Sequence, residues 1–335
     1  MVFGDVAYQY FDWWHEMIPE AIDINGNQED FNHYGLFKNK AINLGLTVGL
    51  NDYWNITISQ MISERCMEWE GPVDEDGNSL TVHHRTECSS SDFFDDEKRI
   101  AFGGYLGDAR INFRYLLFNQ AKGPGPRFFL GIGFDIPSPN VITESPWKKI
   151  DITPDDGIDN PVYTPHRHFY LSDGAYKMNL ELQFFKKRMQ YPVFWGGTLS
   201  GNFPLNDSRY GFSPSPRYQL SLLAMSSSLP FKKIKLGKLS ISSVGFTFTV
   251  AHAGRSKWEG LGDTPNSKSI LYVPGINVLF GLEGGGGFGL NLTRGFEYYF
   301  NENESDIEEK TKIYGISLSY RKVLDKVIDK LYWGK

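Results

Sequence analysis

The sequence has no long hydrophobic run. No stretch of its 335 residues approaches the ~18–20 apolar residues that a membrane helix needs. Mean hydropathy is −0.36. A helical membrane protein is excluded, but a β-barrel is not, because only every second residue of its strands meets lipid. Positive charge is not in excess either. Lys+Arg number 34 against 40 Asp+Glu, a formal net charge of −6. No segment gathers Lys and Arg as a phosphate-binding face would, which excludes a nucleic-acid partner. Cysteine is scarce. Cys66 and Cys88 lie in one polar segment, so a disulfide closing that loop in an oxidising compartment competes with two free thiols in a reducing one. A complete signal peptide is lacking. Met1-Val2-Phe3-Gly4-Asp5 has no charged start and no apolar core, as expected of a mature chain or of a shortened start.

What is present is apolar, aromatic and glycine-rich. Hydrophobic residues make up 41%, too many for a disordered chain. Aromatics make up 15%, and 35 glycines exceed the usual ~7% share.

Period-two alternation dominates. Ile42, Leu44, Leu46, Val48 and Leu50 share one face, opposite Ala41, Asn43, Gly45, Thr47 and Gly49. After the tight turn Asn51-Asp52, Trp54, Ile56, Ile58 and Ile62 oppose Asn55, Thr57, Ser59 and Ser63. The same grammar recurs in nine further stretches, around residues 109–117, 130–136, 176–184, 195–203, 217–224, 244–250, 275–282, 288–298 and 314–321. Val6–Trp14 adds a weaker strand. Short connections (Asn51-Asp52, Gln120–Arg127, Lys186–Pro192, Ser227–Gly237, Glu283–Gly287) alternate with long ones (Arg65–Gly104, Pro137–Asp173, Pro204–Pro216, His252–Ile270, Asn301–Lys310). That is the layout of an outer-membrane barrel, and twelve strands put both termini at its short-turn, periplasmic end. A soluble β-sandwich or solenoid would also alternate. Strands of membrane-crossing length and apolar faces ending in Tyr, Trp and Phe weigh against it. Arg294 falls in phase with an apolar face, which predicts either snorkelling or a bulge.

Three stretches carry a family resemblance. They are Leu106-Gly107-Asp108-Ala109-Arg110-Ile111-Asn112-Phe113-Arg114-Tyr115, then Phe129-Leu130-Gly131-Ile132-Gly133-Phe134-Asp135-Ile136-Pro137, then Ser172-Asp173-Gly174-Ala175-Tyr176. Together they resemble the outer-membrane transporter family named for the MetA pathway of phenol degradation. The specific part covers about residues 103–185. The resemblance implies passage of small, often hydrophobic or aromatic molecules and supplies no catalytic residues. One departure is that the chain continues past its last strand, through Lys322–Lys335.

The inward-facing polar set is the candidate lumen lining and selectivity element: Arg110, Asn112, Arg114, Asp135, Lys177, Glu181, Arg217, Glu297 and Arg321. A narrow barrel must fill or wet its interior. Such charges either pair across strands and brace the wall, or form a constriction that selects solutes. Arg110 and Arg114 share one strand face, which predicts two positive charges near one height of the pore. Two acidic loops (residues 74–78 and 155–160) lack full calcium-loop spacing. His83-His84 and His166-Arg167-His168 lack a third defined ligand, so no metal is expected. His252 and Ser256 lie near one loop, but no His-x-Ser pair followed by Asn-Gly appears, so no barrel hydrolase is expected.

The reading is an all-β transmembrane antiparallel up-and-down barrel of about twelve strands over residues 1–321, in the bacterial outer membrane. A short amphipathic helix is expected in the tail, 322–335, from Val323, Leu324, Val327, Ile328, Leu331 and Tyr332. The barrel passes or binds a small solute without a cofactor. The other reading is a scaffold that anchors an assembly through its long loops. Expected partners are membrane lipid, the solute, and a protein at the outer loops or the C-terminal helix.

Overall fold

The computed structural model describes residues 2–15, 33–70, 104–121, 125–143, 170–188, 194–226, 235–264, 267–283, 285–300 and 307–324. Alternation becomes strand throughout. The strands are β1 (Val2–His15), β2 (His33–Gly49), β3 (Trp54–Glu70), β4 (Leu106–Phe118), β5 (Arg127–Ile136), β6 (Lys177–Lys187), β7 (Phe194–Pro204), β8 (Phe212–Ser213), β9 (Arg217–Met225), β10 (Lys235–Leu236), β11 (Leu239–Ala253), β12 (Lys257–Trp258), β13 (Gly262–Asp263), β14 (Ser269–Leu282), β15 (Gly287–Phe300) and β16 (Ile307–Lys322).

Twelve of these close a barrel. Each long strand pairs antiparallel with its sequence neighbour, and β1 pairs with β16 to complete the ring. Closure removes the free edges that an open sheet would expose. β10 extends β11 at one end, and β8, β12 and β13 form a small separate sheet. The expected twelfth strand at the N-terminus is real, and it is longer than Val6–Trp14.

The outer surface inverts the usual rule of burial. Val6, Leu44, Ile58, Ile132, Leu180, Leu199, Phe246, Leu292 and Leu318 are all 40–67% exposed. In water such a continuous apolar skirt would drive association. Around a closed barrel with polar residues inside, it is the surface that meets hydrocarbon. The fold is that of a bacterial outer-membrane barrel.

One boundary differs from the sequence reading. β3 continues to Glu70, in register with Tyr34 of β2, so Arg65 and Cys66 lie in strand rather than at the start of a loop. The polar composition of this end reflects a wall that extends beyond the apolar band. Arg294 is on the outer face, its guanidinium 5.0 Å from the Phe296 ring and 5.5 Å from the Tyr314 ring. The register shift lies between Glu297 and Tyr298, so Arg294 snorkels over aromatic rings and is not a bulge residue. Where the sequence predicts a C-terminal helix, Lys322 ends β16 and Val323 and Leu324 are irregular and exposed; the rest of that segment, the acidic loops, His83, His84, His166, His168 and Cys88 lie outside the described residues.

Candidate functional site: the inner wall and its outer mouth

The inner wall divides into two arcs. From β14 through β16 and β1 to β2 it mixes small polar side chains, among them Asn277, Thr293, Ser317, Gln9 and Asn43, with bulky apolar ones such as Phe3, Phe37, Leu279 and Ile313, and it carries Asp5, Glu297 and Arg321. From β3 to β9 it carries the paired ionic groups described next. Strand alternation sets which residues point in, and register then sets which of them meet.

Arg110 on β4 lies in register with Asp135 on β5. Its Nε and Nη2 donate to the two carboxylate oxygens at 2.7 and 2.8 Å, a fork geometry that fixes both groups. Asp135 also accepts from Asn179 Nδ2 of β6 at 2.8 Å and from Asn202 Nδ2 of β7 at 3.0 Å. Asn202 donates in addition to Asn179 Oδ1 at 2.7 Å. Four strands are thus linked through one buried carboxylate, which is 4% exposed. Arg114 takes a different partner, Glu181 on β6, at 2.5 and 3.2 Å. The two arginines therefore do not form a patch at one height. Four residues of strand separate them by roughly 13 Å, and each is neutralised by its own carboxylate. Asn112 is buried between them, in register with Thr57 and Gly133, and its Oδ1 has no donor among the described residues.

The remaining candidates sit toward the ends. Lys177 lies at the long-loop end of β6, with Nζ 2.7 Å from Asp173 Oδ2 and 3.4 Å from Asp108 Oδ2. Arg217 approaches the same Asp173 oxygen at 3.8 Å but stays 62% exposed. Glu297 accepts from Ser269 Oγ at 2.7 Å and Tyr299 Oη at 2.9 Å. Arg321 is exposed at the opposite, short-turn rim, in register with Phe3. The nine candidates are therefore not one constellation. Arg110, Arg114, Asp135, Glu181, Lys177 and Arg217 follow one arc, while Glu297 and Arg321 stand apart.

Sequence reasoning missed the carboxylates that hold Lys177. Asp108 and Asp173 both belong to the glycine-flanked stretches that carry the family resemblance, and the fold brings them to the same ammonium. Asp108 Oδ1 also accepts the Ser138 N–H at 3.1 Å. Burial opposes ionisation of Asp173, but Arg217, then Lys177 and Arg65, outweigh it and hold its pKa at about 2, below the ordinary 3.8. Asn179 and Asn202 were legible as inward residues by alternation alone. Their convergence on Asp135 was not, because it depends on register across three strands.

At the long-loop end, segments next to β5, β6, β9 and β11 form a layer at the mouth. Ile142, Tyr170 and Trp258 are buried together, with Phe212 packed on them and its ring 5.1 Å from that of Trp258. Asn140 accepts the Leu171 N–H at 3.0 Å and donates to the Gly104 carbonyl. Arg65, inward on β3, donates to the Tyr170 carbonyl. Val141 bridges Ser172. Gly174 adopts φ +75°, and a Cβ there would lie 2.6 Å from Ser208 Oγ. That position requires glycine on both counts.

The hydrolase-like candidates are not brought together. His252 is beside Tyr218, ring centroids 6.3 Å apart, whereas Ser256 is buried with its N–H donating to Ser267 Oγ at 3.1 Å. Among the described residues there is no group of three or more metal-ligating side chains. The backbone of Cys66 pairs with Lys38, but its side chain and Cys88 lie outside the described residues, so the expected bridge does too.

No family model and no curated protein matches the chain. Its fold is similar to that of an outer membrane channel from Pseudomonas putida F1, with a TM-score of 0.55 at 11% identity, over 96% of this chain and 95% of that one. Weaker likenesses are to the NanC porin (TM-score 0.40, 7% identity, 96% and 100% covered) and to the TodX monoaromatic hydrocarbon channel (TM-score 0.37, 8% identity, 96% and 90% covered).

Proposed function

We propose that the protein is an outer-membrane channel that passes a small solute along the inner wall. The observation that carries this reading is the closed barrel whose inner wall is polar and, from β4 to β6, lined by the paired charges Arg110–Asp135 and Arg114–Glu181. The fold likeness to an outer membrane channel supports the same reading. The transporter-family resemblance adds that the solute is small and hydrophobic or aromatic. The polar wall favours one that also bears a hydrogen-bonding group, since a bare hydrocarbon would leave wall amides and hydroxyls unpaired as it displaced water. Lys177, Arg217 and the paired Arg110 and Arg114 would meet it along the charged arc. No covalent chemistry and no cofactor enter this reading. Reconstitution into liposomes tests it: solute-dependent swelling above that of empty vesicles is expected, and none with any small solute would reject it.

The buried layer around Ile142, Tyr170 and Trp258 favours a second reading, a barrel closed at its outer mouth that serves as a scaffold through its long loops. Persistent zero conductance in planar bilayers, with stable insertion, would select it.

A further inference from the structure

Four inward cations of the charged arc differ in how far they are committed. Arg110 and Arg114 each close a two-point fork on one carboxylate. Lys177 has two carboxylates near it, Asp173 at 2.7 Å and Asp108 at 3.4 Å. Arg217 has neither arrangement. Among the described residues its guanidinium makes no hydrogen bond, and its one ion pair is the 3.8 Å approach of Nη2 to Asp173 Oδ2. Lys177 already holds that same oxygen at the shorter distance. The Arg217 side chain is also the most exposed of the four, at 62%. This exposure is toward the lumen. Tyr218, the next residue, turns its ring outward against Phe203, with centroids 5.7 Å apart, and Asp173 is shared with the inward Lys177. In register beside Arg217 stand Asn202 and Ala253. The Asn202 amide is spent on Asp135 and Asn179, and Ala253 has no polar side chain, so neither supplies an acceptor to the guanidinium. One inward step along β9 is the exposed Gln219, in register with Ser200 of β7.

We infer that Arg217 is the residue that receives the solute, and that the solute is a small carboxylate. A guanidinium presents its donors as a planar fork that matches a carboxylate at two points, and Arg110 and Arg114 show that match already satisfied within the wall. Arg217 has the same fork without a hydrogen-bonded acceptor. It is the first residue of β9 at the long-loop end, so it meets a molecule at that end of the lumen. Gln219 and Ser200 offer an amide and a hydroxyl to the polar atoms next to the carboxylate. Asp173, held first by Lys177, is only a weak competitor for the guanidinium. It lets a carboxylate bind and also lets it leave, as passage requires. The inference rests on the channel reading and narrows its hydrogen-bonding group to a carboxylate.

The test uses the full chain in lipid nanodiscs, titrated calorimetrically with benzoate and with benzamide, its neutral counterpart of the same shape, against empty nanodiscs. The wild type is expected to bind benzoate at least roughly tenfold more tightly than benzamide. Arg217→Gln is expected to lose that preference. Arg217→Lys, which keeps the charge without the fork, is expected to keep only part of it. A merely structural role would lower the melting temperature of both variants and leave the benzoate-to-benzamide ratio as it is in the wild type. That result, equal binding of the two probes by the wild type, or no binding of benzoate would overturn the inference. If Arg217→Gln does not fold, the ratio in Arg217→Lys decides. Uptake into liposomes separates this inference from the channel reading. Preferential benzoate binding without uptake of either probe would count against the channel and leave the site standing. Uptake of both probes with equal binding would leave the channel and remove the site.

Discussion

Arg114 reaches over β5 to Glu181 on β6 because the residue in register between them is Gly131. A Cβ at Gly131 would lie 3.0 Å from Glu181 Cβ, 3.1 Å from its Oε1 and 3.5 Å from Arg114 Cγ. The salt bridge occupies the space a side chain would need. Gly131→Val should therefore separate the pair and destabilise the barrel by ~1–3 kcal/mol through overpacking, with Gly131→Ala milder. Melting in detergent measures it. A Gly131→Val barrel as stable as wild type would show that the pair adjusts freely.

The paired arginines are read as braces for the wall. Arg114 is the more enclosed of the two, with its side chain 25% exposed against 50% for Arg110. Removing Arg114 leaves Glu181 uncompensated and should cost ~2–4 kcal/mol, and Arg110→Ala should cost about as much, because it strands the more deeply buried Asp135 with only its two amide donors. The double variant Arg110→Ala/Arg114→Ala should lower the melting temperature more than it moves the reversal potential in a salt gradient. Unchanged melting with a clear shift toward cations would instead make the two residues the selectivity element.

Asp173 links stability at the mouth to pH. Its pKa is about 2 in the folded chain against 3.8 ordinarily. A depressed carboxylate pKa means that the folded state favours the ionised form, so the contribution is full above the unfolded value and disappears as pH falls from about 4 to about 2. The wild type should melt higher than Asp173→Asn at pH 7, and the gap should close by pH 2. A gap that persists at pH 2 would assign the effect to packing rather than to charge.

Orientation follows from loop length. In a Cys66→Ser/Cys88→Ser background, a cysteine replacing Glu259 between β12 and β13 should react with an impermeant reagent on intact cells. One replacing Asp52, in the turn between β2 and β3, should not. The opposite pattern reverses the topology.

The two native cysteines give a separate measurement. In protein isolated from membranes, Cys66 and Cys88 are expected to resist alkylation until reduced, and a non-reduced digest should contain their linked peptides. Two separately alkylated thiols would leave the wall at β3 without a covalent tie to the following loop.

Alternation alone was enough to make this chain a barrel wall. Side chains on a strand point to opposite faces at every step, so the order of apolar and polar residues determines strand location and the inward set, Arg110, Asn112, Arg114, Asp135, Lys177 and Glu181 among them. It also put Arg294 outward before any partner was known. The pairing of charges was decided by tertiary structure, because it depends on strand register and on what lies between the groups. Arg110 meets Asp135 on the adjacent strand, whereas Arg114 passes Gly131 to the next one. Asp108 and Asp173, distant in sequence, converge on Lys177 only once β4 to β6 are aligned and the chain after β5 returns to the wall. Lys40 and Lys312 come from opposite ends of the sequence and reach the same stretch of the outer face because β16 closes on β1.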